Sequence, residues 1–100
     1  MSIEKNAVLA KLREHATELQ AAGIAHLRLH GSFARGQETS ASDVDLIADF
    51  DAGRRLTLID MAGLESRLVE LLGVPVELSP ANMLKEPVRE RAAREAVLAF

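Results

Sequence analysis

Two stretches with alternating apolar side chains, Ile24 to His30 and about Asp43 to Phe50, are joined by a short polar connection. Nothing else constrains the fold as tightly. In the first, Leu27 and Leu29 share one face and His26, Arg28 and His30 the other, and Gly31 ends the strand. In the second, Val44, Leu46, Ala48 and Phe50 point one way and Asp43 and Asp45 the other. A short connection favours antiparallel pairing, because a parallel return needs a longer crossover. Val74 to Leu78 is a third strand, short and β-branched, broken by Ser79-Pro80. A helix separates it from the second strand, which favours a parallel, right-handed crossover. The result is an α+β domain: a small mixed sheet with helices on one face and the other face partly open.

The spacing predicts a helix from Ile3 to Ala22, with Val8, Leu12, Ala16 and Leu19 as its stripe, Ser2 as N-cap and Gly23 as stop. Ser32 to Arg35 suits a short helical turn, and residues 37–42 a loop. After Asp51-Ala52-Gly53, Thr57 and Asp60 have the spacing of a capping pair for a helix that buries Met61, Leu64, Leu68 and Leu71. Gly73 stops it. A last helix is predicted from Pro87 to the C-terminus, with Leu84, Val88, Ala92, Ala96 and Phe100 near one side. Val97, Leu98, Ala99 and Phe100 cannot all fit one helical stripe. The expectation is that this last helix, with Met83 and Leu84, touches a partner or a second copy. The competing reading folds Phe100 back onto the core.

One hundred residues make one domain, residues 1–100, able to bury roughly 60–70% of its unfolded surface. With three Phe as the only aromatics, the core must come from Leu, Val, Ile and Ala. The absence of cysteine excludes disulfide and thiolate–metal chemistry. No apolar run reaches the ~20 residues of a membrane span, and the N-terminus lacks the order of a secretory signal. A cytoplasmic location is expected. A net charge of −3 argues against long nucleic acid as the main partner. A nucleotide–metal complex brings its own positive charge and stays open.

Chemistry concentrates in Gly31-Ser32-Phe33-Ala34-Arg35-Gly36 and in Ser42-Asp43-Val44-Asp45-Leu46, with ten residues between Ser32 and Asp43. Gly31 lets the backbone approach a ligand, N–H groups at the start of the next turn can hold phosphate oxygens, and Ser32 adds a hydroxyl. Ser32 would also serve as a plain helix cap. Arg35 either reaches phosphate or pairs with Glu38 or Asp43. Asp43 and Asp45 repel each other unless a cation sits between them, and an oxygen-seeking ion such as Mg²⁺ is the usual solution. Glu77, opposite in parity to Val76 and Leu78, would complete a three-acid cluster; a lone solvated glutamate is the plain alternative. His26 and His30 lack a third neutral ligand, which favours a structural or cleft-lining role.

Taken together, Gly31-Ser32, the spacer, Asp43-Val44-Asp45 and the Gly-Ser-x-Ala-Arg-Gly form resemble the minimal nucleotidyltransferase family of the DNA polymerase β-like superfamily. The segment from Leu84-Lys85-Glu86-Pro87 to Ala96-Val97 resembles that family's closing helix. The resemblance covers essentially the whole chain. It implies a two-metal reaction with Mg²⁺, or Mn²⁺ in its place, and ATP as substrate. Asp43 and Asp45 would hold both ions, Glu77 would stand where the family more often has Asp, and Gly31 and Ser32 would bind phosphates. Small members look like antitoxins of type VII systems, encoded beside a HEPN-domain ribonuclease toxin and transferring AMP to a toxin tyrosine. Larger relatives add a substrate domain, for which this length leaves no room. Two other functions stay open: an antitoxin acting by occlusion alone, and a small-molecule nucleotidyltransferase completed by another subunit.

Overall fold

The computed structural model describes residues 4–38 and 43–100; the expected N-cap Ser2 and most of the polar loop lie outside them. The elements, in chain order, are α1 (Lys5–Glu14), α2 (Ala16–Ala21), β1 (Ile24–His30), α3 (Gly31–Ala34), β2 (Val44–Phe50), α4 (Leu58–Leu72) and β3 (Val76–Pro80). A 3₁₀ turn (Ala81–Met83), α5 (Val88–Glu95) and β4 (Val97–Leu98) follow. The four strands form one sheet in the order β3-β2-β1-β4. β1 runs antiparallel to β2 and β4, and β2 runs parallel to β3, as the connection lengths require.

Val8, Leu12 and Leu19 from the N-terminal helices and Leu64, Leu68 and Leu72 from α4 close over one face of the sheet. That face supplies Leu27, Leu29, Val44, Leu46, Ala48, Val76 and Leu78. Ile24 also reaches this core, although strict alternation from Leu27 would turn it outward. A bulge between Ile24 and His26 inserts the extra residue that brings it back. On the other face Ile47 and Ala92 are buried outside the main cluster, while much of the rest stays open. No helix among the described residues is long and apolar enough to cross a membrane.

Three expectations need correction. The first helix is interrupted at His15, which leaves helical geometry although the bonds from His15 N to Lys11 O and from Leu19 N to His15 O are kept. β3 lies two residues later than predicted and includes Ser79 and Pro80 rather than stopping before them. Proline is tolerated because β3 is an edge strand. The largest correction is at the C-terminus. α5 ends at Glu95, Ala96 turns extended, and Val97 and Leu98 pair with Leu29 and Arg28. An extended chain sends successive side chains to opposite faces, which resolves the run that no helix could bury. Ala99 is buried, Val97 and Phe100 pack on the core, and Leu98 stays outside. The last residues are therefore no helical contact surface, and Phe100 does fold back. Arg13 of α1 covers this edge, donating to the carbonyl oxygens of Ala99 (2.9 Å) and Leu98 (3.1 Å).

α4 is bounded as expected. The Thr57 hydroxyl accepts from Asp60 N–H and the Asp60 carboxylate accepts from Thr57 N–H, a complete capping box. Gly73 closes the helix at φ 72°, its N–H bonded to Val69 O.

Candidate active site

The open face of the sheet carries a row of ionisable side chains set by strand register. His30 on β1 stands opposite Asp45 on β2, and Asp45 stands opposite Glu77 on β3. Their neighbours in sequence, Leu29, Leu46, Val76 and Leu78, are all in the core, so the row must face away from it. Ile47 and Ser79 continue along the same face. Leu84 and Val88, just before and at the start of α5, complete a groove of about 190 Å³ lined by the row. Asp43 lies one residue before β2 and is exposed at the edge of this row.

Partial burial pushes the Asp45 carboxyl above its ordinary pKa, and the nearby negative charge of Glu77 pushes the same way. His30 opposes the shift, and Asp43 adds to it. Burial and like charge thus act together on the central carboxylate of the row. Among the described residues no three His, Asp or Glu side chains converge closely enough to hold a metal ion by themselves. That arrangement still suits Mg²⁺, which keeps several waters and takes one or two carboxylates plus substrate phosphates.

Gly31 has φ +75°, and a Cβ placed on it would lie 2.3 Å from Asp45 Oδ2. The glycine turn and the central carboxylate are thus pressed together, which the sequence showed only as two separated motifs. α3 begins at Gly31, with Ser32 half-buried in its first turn, where helix N–H groups lack intrahelical acceptors. Arg35, the residue after α3, pairs with neither Glu38 nor Asp43. Its Nε donates to Gln37 Oε1 (3.0 Å) and its Nη1 to Glu95 Oε2 (3.4 Å).

His26 is exposed and apart from the row, so the two histidines do not form a pair. His30 lines the groove, and its Nε2 is buried with no hydrogen-bond partner among the described residues. Sequence reasoning did not join His30 to Asp45. The strand parity that groups His26, Arg28 and His30 was visible, but the register between the two strands was not. The Arg35–Glu95 pair left no sequence signal, since it depends on the chain's return as β4.

The profile of a family described as "Nucleotidyltransferase domain" matches residues 9–99. The chain is 33% identical over 87 residues to the protein adenylyltransferase MntA of Thermococcus cleftensis, covering 86% of each sequence. In structure it is similar to a candidate minimal nucleotidyltransferase, with a TM-score of 0.77, 38% identity and 95% of both chains covered. A crystal structure of a toxin–antitoxin with AMP-PNP shares the fold at 17% identity (TM-score 0.69, 98% of this chain and 73% of that one).

Proposed function

Because the chain belongs to the nucleotidyltransferase domain family and has the polymerase β-like fold of minimal nucleotidyltransferases, we propose that it transfers AMP from ATP to a tyrosine hydroxyl of a partner protein. The partner is a HEPN-domain ribonuclease toxin, and the chain is its antitoxin. The relative named protein adenylyltransferase MntA, matched over 86% of this chain, supports a protein acceptor. Structural neighbours described as the toxin–antitoxin MntA-HepT support the pairing.

The observation that carries the reading is the contact of the Gly31 turn with the Asp45 carboxylate inside a row of acids. It brings a phosphate-binding backbone against the side chain that would share a cation with those phosphates. Asp43 and Asp45 would hold two Mg²⁺ ions (Mn²⁺ serves the same role), with Glu77 beside them; the hard oxygen donors and the crowding of like charge around Asp45 fit such ions. When bound, the ions supply charge neutralisation of the triphosphate and activation of the attacking hydroxyl. Gly31 and Ser32 orient the phosphates, and Arg35 lies one turn away for a further oxygen. The acceptor oxygen bonds to the α-phosphorus as the bond to the pyrophosphate breaks. The chain has no tyrosine, so the acceptor must come from another molecule.

An antitoxin acting by occlusion alone has no use for a carboxylate packed on a glycine turn, and the site favours catalysis over that alternative. The test is mass spectrometry of the partner after incubation with this chain, ATP and Mg²⁺. AMP on a partner tyrosine, absent with Asp43→Asn or Asp45→Asn, is the expected result. Full modification by the doubly substituted chain refutes the assignment.

A further inference from the structure

The C-terminal return of the chain has a consequence at the glycine turn. Val97 pairs with Leu29, so the residues just before it run back alongside the end of β1. Glu95, the last residue of α5, is thereby delivered to the guanidinium of Arg35. The two residues are sixty positions apart in sequence. Both side chains are well exposed, at 40% and 36%. Their single contact is 3.4 Å, long for a charge-assisted bond, where about 2.7–2.9 Å is usual. Exposed pairs of this kind hold weakly. A triphosphate, by contrast, offers a guanidinium two parallel oxygens at once.

We propose that Glu95 is a positioning residue that occupies Arg35 in the nucleotide-free protein and yields it to the triphosphate. This rests on the reading of Arg35 as a phosphate contact. The carboxylate holds the guanidinium one turn from Gly31 until phosphate oxygens displace it, at the cost of one weak ion pair. A nucleoside monophosphate, with less charge and fewer oxygens, gains less from the exchange. Glu95 therefore tempers triphosphate affinity by the strength of the pair while keeping Arg35 from other partners, on a residue far in sequence from the phosphate-binding turn. Gln37 holds Nε and leaves the Nη groups to make the exchange.

The experiment is calorimetric titration of the whole chain with Mg-ATP and with AMP, for the wild type, Glu95→Gln, Arg35→Ala and the double variant. Glu95→Gln is expected to tighten ATP binding about two- to five-fold, the scale of one exposed ion pair, and AMP binding by the same factor or less. Arg35→Ala is expected to weaken ATP binding, and in that background Glu95→Gln should change nothing further. Unchanged or weaker ATP binding by Glu95→Gln overturns the proposal, as does an equal effect in the Arg35→Ala background. If Glu95→Gln lowers the melting temperature, Glu95→Ser is titrated alongside it and judged by the same criteria. An Arg35→Ala variant that binds ATP normally removes Arg35 from the phosphate site and this proposal with it. Transfer that still depends on Asp43 and Asp45 would leave the proposed function standing in that case.

Discussion

Replacing Gly31 with alanine tests the union of the glycine turn and the acid row, because two separable penalties meet there. The first is conformational. At φ +75° an L-residue costs about 1–2 kcal/mol, offset by about 0.4–1 kcal/mol from a less flexible unfolded chain. The second is contact. The new methyl would sit 2.3 Å from Asp45 Oδ2, so the carboxylate must move by about 1 Å, off its rotamer, for about 0.5–1.5 kcal/mol. The sum is about 0.5–3 kcal/mol, a fall of roughly 2–24 °C in melting temperature for a domain of this size. Gly36 provides the control. Its φ is +69°, and nothing lies within 4 Å of a Cβ built there. Gly36→Ala should therefore suffer the conformational penalty alone, about 0–1.6 kcal/mol, and keep its activity. Gly31→Ala should lose transfer activity by about 10²-fold, the scale of a 1 Å misplacement. Scanning calorimetry and an AMP-transfer assay on both variants decide the matter. Equal stability and equal activity in the two would refute the packing of Gly31 on Asp45.

Asp45→Asn should raise stability while abolishing transfer. The Asp45 carboxyl is shifted upward in the fold, so its contribution is intact below the ordinary carboxylate range and is lost as pH rises through the shifted value. At neutral pH the wild type thus bears a like-charge penalty of about 0.2–1 kcal/mol. The variant should melt roughly 1–8 °C higher at pH 7 and no higher near pH 3; a lower melting temperature at pH 7 contradicts the cluster. At the C-terminus, Phe100→Ser should cost about 1–3 kcal/mol as a half-buried ring leaves the core, whereas Leu98→Ser, at a position 54% exposed, should stay within about 0.5 kcal/mol. Denaturant melts of the two variants check this, and equal losses would mean that the strand assignment is wrong.

What could be read in advance was whatever local chemistry dictates. Thr57 and Asp60 announced their capping box, Gly73 its left-handed stop, and the alternation in β2 the side on which Asp45 would stand. The acids faced away from the core because Val44 and Leu46 had to face into it. The end of the chain was misread because Val88, Ala92, Ala96 and Phe100 satisfy a helical period as well as Val97 to Phe100 satisfy an extended one. The choice was made by a distant requirement, the unpaired side of β1, whose Leu27 N–H and C=O are taken up by Phe100 and Ala99. The contacts of Arg35 with Glu95 and of Gly31 with Asp45 were equally out of reach, since both depend on where separate strands come to lie. Nothing in residues 31–36 says which acid will be their neighbour.

The two margins of the sheet have something in common. β3 finishes in Pro80, which has no N–H to offer, and Arg13 takes the carbonyl oxygens of Leu98 in β4 and of Ala99 just after it. Each margin is thus interrupted as a template for an added strand, the commonest route by which small β-containing proteins polymerise or clasp an extended peptide. A visitor to this protein therefore finds its fuller contacts in side chains, through the groove or a helix surface, rather than in a long main-chain ladder. Such encounters end more readily than strand exchange. For a catalyst that must release one modified molecule before taking up the next, shielded margins favour turnover over lasting attachment.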